Sequence, residues 1–568
     1  MRRIRGIRLL AVAVVGLLLA GCTGLPTSGP PNPGLAIGGE EDTLIYTPIA
    51  SGPKPGDSPE GIVKGFLEAS MTPADNWEIA QEFLTDDFRP TWKPGTLVTI
   101  DESVLQRKFQ SSLDSDDKSA KNAEVHAQFD QVANVDASGA YNAESGLGKA
   151  TYQLKRVKGE WRIAKAADGI VLDAETFGQV YQKYALKYFD TSWTHLVPDV
   201  RWFPRRTAMA TSVARALISG KPSDWLAPAV HNAFTEDISL AGDAVTVDPS
   251  QVATVALSRS ALAASASDLA RMRTQLEGSL SGAGVAEVRF TVDGAPLEAG
   301  TVPLDENVQE AGVLVQNAET FGRAVSGDTI EPVGGLTAQI AKITAPIRAV
   351  DVSLDAALAS VQLQDGSVWA LADGNSTKLD ARADLIEPSL DPFGFTWTVP
   401  RGAPGELLAW GVQGPAQHLI ADAWPGYDSI SQLRVAADGA RVAAVVTQAG
   451  QRRLVVAAVL RGKSSEPTAL GQPHAVSTLT GPTLGLGWVG SDTLAVLSST
   501  PDPALTMYPV GGPSVTTAPP DAAAALAGAK ATTGLRVLGS DGSVYAQRGS
   551  SWQVSIEGIR VLGTRAGY

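Results

Sequence analysis

The one thiol of this chain sits where a thiol can be lipidated. Cys22 is the only cysteine among 568 residues, and it closes the run Leu19-Ala20-Gly21-Cys22. Arg2, Arg3, Arg5 and Arg8 precede an apolar stretch from Leu9 to Ala20. Basic, apolar and small residues in that order read as a secretory signal, because the stretch is too short for a bilayer-spanning helix. Its last four residues fit the bacterial lipobox, whose small side chains admit a lipoprotein signal peptidase. The sulfur of the first mature residue then takes a diacylglyceryl group and its amine an acyl chain. A cleaved signal with an incidental cysteine is the competing reading. Each buried methylene contributes about 0.8 kcal/mol, so two lipid groups at Cys22 would hold the protein essentially permanently. No later run reaches the length of a membrane span. The expectation is an extracytoplasmic protein anchored to the cell membrane, with the covalent lipid as its only attached group.

The other groups that could do chemistry are scattered. His126, His195, His231, His418 and His474 fall at no metal-ligand spacing, so no metal site is expected. No serine has the glycine flanks of a nucleophile elbow. Gly462-Lys463-Ser464 ends like a phosphate-binding loop, but Ala457 stands where the first glycine should be, so an exposed turn is predicted. Asp114-Ser115-Asp116-Asp117-Lys118 begins like a calcium loop and then puts Lys118 where an oxygen ligand belongs. No catalytic residue is nominated, and the chain does not read as an enzyme.

Composition narrows the partners. The formal net charge is −14, and it becomes more negative once the four leader arginines are set aside. Such a surface repels nucleic acid and anionic headgroups, which leaves neutral or basic protein surfaces and wall polymers. With a single cysteine, stability must come from core burial.

The elements that would carry these residues follow in order. Residues 1–21 are the signal and 22–42 a Pro/Gly-rich tether. A first module, 43–175, opens with Ser58 capping a helix that Pro59 starts and whose apolar face is Ile62, Val63, Phe66 and Leu67. A short helix around Trp77–Leu84 follows. The period then shifts toward two, as in Val125–Phe129 and Ala150–Leu154, and ends at Gly159-Glu160-Trp161-Arg162-Ile163. Helices followed by a curved sheet resemble the NTF2-like α+β fold. Residues 176–199 read as a charged connector. In 200–300, a helix through Met209, Val213 and Leu217, a strand at Val245–Asp248, a long helix from Leu262 to Leu280 and a strand into Val292-Asp293-Gly294 are similar to the α/β GerMN module of spore-germination and cell-envelope proteins. Residues 301–331 read as a linker.

From Pro332 to the end, helix signals disappear and short β runs alternate with turns. Asp365-Gly366-Ser367-Val368-Trp369 and Asp541-Gly542-Ser543-Val544-Tyr545 lie about four 44-residue repeats apart. All-β repeats of that length predict a propeller of about five or six blades, with a β-sandwich pair as the alternative. Val442–Val446 and Leu454–Val459 would be inner strands of one blade. Trp369, Trp397, Trp410, Trp488 and Trp552 are expected to pack between blades. Trp424-Pro425-Gly426-Tyr427 lies in a turn, which makes Trp424 and Tyr427 the candidate partner contacts.

Leu19-Ala20-Gly21-Cys22, the tether, the NTF2-like and GerMN-like modules and the propeller, in that order, resemble the LpqB family of actinobacterial lipoproteins. The resemblance implies an accessory lipoprotein that binds the extracytoplasmic sensor domain of an MtrB-type histidine kinase in the MtrA–MtrB two-component system. That partnership would influence cell-wall homeostasis and division. The residues alone also allow a lipid-anchored receptor for wall glycan or a small ligand.

Overall fold

The computed structural model describes residues 50–73, 77–113, 119–205, 208–242, 244–305, 312–325, 328–411, 417–500, 503–549 and 551–568. The signal, the lipobox with Cys22, the whole tether and the Asp114–Lys118 run lie outside the described residues.

The first module is a helix laid on a sheet. Helix Pro59–Ala69 starts where the sequence sets it: the Ser58 side chain accepts the Gly61 N–H at 3.1 Å, and Glu60 occupies the positive end. Ile62, Val63, Phe66 and Leu67 are buried on the sheet. Across the sheet run Glu160–Lys165, Tyr141–Val157, Asn122–Asp136, Leu97–Asp101 and Ile170–Asp173, the last two parallel, and Lys108–Ser111 pairs with Asn122–Asp136. In Asn122–Asp136, Ala123, Val125, Ala127 and Phe129 are buried at every second position, which is the two-residue period of a half-buried strand.

The expected connector at 176–199 is not one. Helix Ala174–Val180 leads into a hairpin in which Tyr181–Asp190 pairs with Leu196–Pro204, from Tyr181 opposite Pro204 to Phe189 opposite Leu196. Asp190 closes it, its Oδ1 accepting the N–H groups of Thr194 and His195 at 2.9 and 2.8 Å. Lys183 and Lys187 made the segment read as solvated, but long lysine stems cross buried surface. Tyr184, Leu186 and Tyr188 face inward between them and join the core of the second module.

That module packs helices Met209–Ser219 and Ala266–Leu280 on a sheet ordered Thr246–Val247, Val252–Ala256, Glu287–Val292, Ala295–Leu297. Its two central strands are parallel, so the chain crosses over between them through the long helix, which Ser265 caps by accepting the Asp268 N–H at 3.1 Å. Asp293 and Gly294 both have left-handed φ, 52° and 81°, as a tight two-residue hairpin turn requires.

The remaining strands form six blade sheets among the described residues. Blade 1 runs Ile330–Glu331, Phe321–Ala324, Val313–Gln316 and then Val561–Leu562 from the far end of the chain. Blade 2 is built on Ile347–Val352, blade 3 on Ser389–Leu390, blade 4 on Ser429–Val435, blade 5 on Thr483–Val489 and blade 6 on Ala523–Ala527, each followed by further antiparallel strands. Thr564–Arg565 adds to blade 2 in parallel, beside Asp351 and Val352. The closing segment therefore joins blades 1 and 2 to the rest.

Two expectations change here. In the stretch read as a linker, Val313–Gln316, Phe321–Ala324 and Ile330–Glu331 are strands of blade 1, and helix Leu336–Ile340 lies between blades 1 and 2. Val442–Val446 and Leu454–Val459 are, as expected, inner strands of one blade, the second and third of blade 4. They are apolar at every position because both faces are covered. Val442, Ala444, Val446, Val455 and Ala457 pack with Trp397 and Leu407 of blade 3, while Ala443, Val445, Leu454 and Val456 pack with Leu486, Trp488 and Leu494 of blade 5.

The repeated Asp-Gly-Ser element occupies one place in two blades. In blades 2 and 6 it turns between the second and third strands, with Asp365 Oδ1 accepting from the Ser367 N–H and Asp541 Oδ1 from the Ser543 N–H, each at 2.9 Å. Gly366 and Gly542 share left-handed φ values of 86° and 84°.

Candidate interaction surfaces and the module junction

Trp424 does not offer an exposed contact. It sits in a turn with a left-handed φ of 48°, yet only 1% of it is exposed, and it packs with Trp397, Ile420, Ile430 and Leu433 between blades 3 and 4. The turn directs the indole inward, where a large apolar side chain gains most from leaving water. Tyr427 is half-buried against the same cluster and its N–H points back to the Trp424 carbonyl. Trp397, Trp410 and Trp488 are buried as expected, and their indole N–H groups reach Asp391 Oδ2, Thr398 Oγ1 and the Arg434 carbonyl at 3.1, 2.8 and 3.1 Å. Trp369 and Trp552 stay half-buried.

Gly462-Lys463-Ser464 is a turn closed by Glu466, which accepts the Ser464 N–H at 2.9 Å. No group of metal-ligating side chains is assembled among the described residues.

What the structure does bring together is the junction of the three modules, which sequence reasoning did not single out. Trp202, at the end of the second-module hairpin, donates its indole N–H to the Gly511 carbonyl of blade 5 at 2.8 Å, and its backbone N–H to the Gly139 carbonyl of the first module at 2.8 Å. Beside it, Arg201 pairs with Asp199 at 2.7 Å and donates to the Ser138 hydroxyl at 2.8 Å. Asp199 also accepts the N–H and hydroxyl of Ser223 at 2.7 and 2.8 Å. Both charges are almost wholly buried, so each depends on the other. Lys183 reaches Asp492 of blade 5 at 3.6 Å, and Trp225 stacks on His474 of blade 4 at 5.5 Å between ring centres. The nearby Lys187 amine is pushed below its usual range by burial first and by Arg441 second. These residues lie as much as 309 positions apart, so no local spacing could have exposed them.

The molecule so defined is a multidomain β-propeller protein whose first module is bonded to the second through Arg201 and Trp202, and whose second is bonded to the propeller through Trp202 and Lys183. Comparison with known families matches each part: the description "Lipoprotein LpqB, N-terminal domain" fits residues 52–178, "Sporulation and spore germination" fits 184–298, and "Lipoprotein LpqB beta-propeller domain" fits 312–561. Lipoprotein LpqB of Thermobifida fusca is 26% identical over 569 residues, covering 88% of each chain. That of Streptomyces coelicolor is 28% identical over 82% of each. The Nocardia farcinica relative reaches 31% over 41% of this chain and 37% of its own. A chain in the crystal structure of a nidogen/laminin complex aligns with 44% of this chain and 97% of its own at a TM-score of 0.33 and 11% identity, too slight a likeness to bear on function. The chain belongs to the LpqB lipoprotein family. Its relatives are named as lipoproteins, which implies a membrane-anchored protein, and no helix among the described residues is long and apolar enough to cross a membrane.

Proposed function

We propose that this protein is an extracytoplasmic accessory lipoprotein that binds the sensor domain of an MtrB-type histidine kinase and biases its output, and so influences cell-wall homeostasis and division. Family membership across all three modules carries the reading, together with the lipobox at Cys22. Anchoring confines the protein to the surface its partner occupies, so a weak contact can still be well occupied. To regulate, the contact must favour one sensor state, since equal affinity for two states shifts nothing. The propeller face and the second module are the surfaces proposed for it.

In-cell cross-linking and pull-down of the full chain, compared with Cys22→Ser, tests this. Recovery of a sensor kinase with the wild type and its loss with Cys22→Ser is the expected result. Recovery of wall glycan with no kinase overturns the reading.

A further inference from the structure

The three modules meet around a cavity of about 370 Å3. Tyr141 and Asn142 of the first module, Arg201, Lys221 and Trp225 of the second, and His474 of the propeller contribute to its wall. That volume falls within the range of small-molecule pockets, which favour domain interfaces.

Two of the carboxylates in the wall are already committed. Asp136 Oδ1 accepts the Ser138 N–H, the Ser138 hydroxyl and the Ala140 N–H. Asp199 is held by Arg201 and Ser223. Apart from Asp224 and Lys221, which also line the cavity, the capacity that remains is uncharged. Burial lowers the pKa of the His474 imidazole, so at neutral pH it keeps one donor and one acceptor nitrogen, and neither has a hydrogen-bond partner among the described residues. Burial pushes the Tyr141 hydroxyl up to about 12, which keeps it a neutral donor, and it too has no partner there. Asn142 spends its amide N–H groups on Asn134 and the Ala140 carbonyl, leaving its side-chain oxygen as an acceptor.

Neutral groups that both give and take hydrogen bonds match hydroxyls better than charges, and Trp225, stacked on His474, adds an apolar wall for the C–H face of a ring. We infer that the cavity at the three-module junction is a binding site for a neutral saccharide unit, held by Tyr141, Asn142 and His474 against Trp225. Because its wall comes from three modules, occupancy ties them together and raises thermal stability by mass action. The inference is independent of the kinase reading.

The probe is N,N′-diacetylchitobiose at millimolar concentration with the full chain, read by saturation-transfer NMR and by thermal melting. The wild type is expected to give saturation transfer and a raised melting temperature. His474→Phe keeps the ring stack and removes both nitrogens, and Tyr141→Phe removes only the hydroxyl. Each is expected to weaken binding about five- to tenfold, the loss that one hydrogen bond carries. If His474→Phe alters the fold, Tyr141→Phe carries the test. No transfer to the wild type, or equal binding by both variants, overturns the inference. So does transfer from an uncharged tripeptide but not from the saccharide.

Discussion

Blade 4 and blade 1 are made from the same kind of strand and held in opposite ways. Blade 4 is continuous in sequence, its first three strands are 7, 8 and 11 residues long, and its middle strands are buried on both faces. Blade 1 has strands of 2 to 4 residues, and its fourth comes from Val561–Leu562, on the far side of five other blades. One blade is stabilised by its own apolar area, and the other by a segment that arrives from elsewhere. The difference teaches that the ring's weakest point is its seam, while its largest apolar cluster lies opposite.

The strongest way to break this comparison is to remove residues 561–568. Blade 1 then loses its inner strand and blade 2 its parallel addition, so limited proteolysis is expected to cut first within 313–331 while blade 4 stays protected. Uniform loss of protection would mean that the blades do not differ. Next in size is Leu454→Ala in blade 4, a fully buried side chain whose truncation is expected to cost about 2–5 kcal/mol in urea unfolding without early cutting at 313–331.

A third test uses pH at the seam. Asp351, beside the closing strand, accepts the Leu390 N–H at 2.7 Å, and burial raises its carboxyl to about 6 against the pull of Arg434. A folded pKa above the unfolded one means the fold prefers the protonated form. The stability that this contributes is complete below about pH 4 and is lost as pH rises through about 6. Asp351→Asn is therefore expected to melt higher than wild type at pH 8, by on the order of 2–3 kcal/mol, with the gap closing toward pH 4. A pH-independent gap would place the effect in packing. Smallest of all, Tyr427→Ala is expected to change stability by roughly 1 kcal/mol or less and to leave partner cross-linking unchanged, since the side chain is half-buried at a turn.

Much of the fold was legible because its signals are local. Ser58 and Pro59 mark a helix start within two residues, and the Asp365 and Asp541 turns carry the same five-residue pattern, which falls four blades apart along the chain. What escaped depends on distant partners. The strands at 313–331 look like a linker until Val561–Leu562 is laid beside them. The hairpin from Tyr181 hides its inward tyrosines behind Lys183 and Lys187. Trp424 in a Pro-Gly turn has the composition of a surface loop, and only the neighbouring blade decides that the indole goes in. Apart from the local Asp199–Arg201 pair, the junction at Arg201 and Trp202 carries no short-range signal, because its other partners come from other modules.

The seam also sets a timetable. A chain that emerges from its N-terminus can complete the first two modules and blades 3 to 6 while blade 1 still waits for the strand at Val561–Leu562 and blade 2 for Thr564–Arg565. Until those residues arrive, the hydrogen-bonding edge of Val313–Gln316 stays open to any neighbouring strand. The nascent protein is thus most prone to mispairing just before its last residues appear.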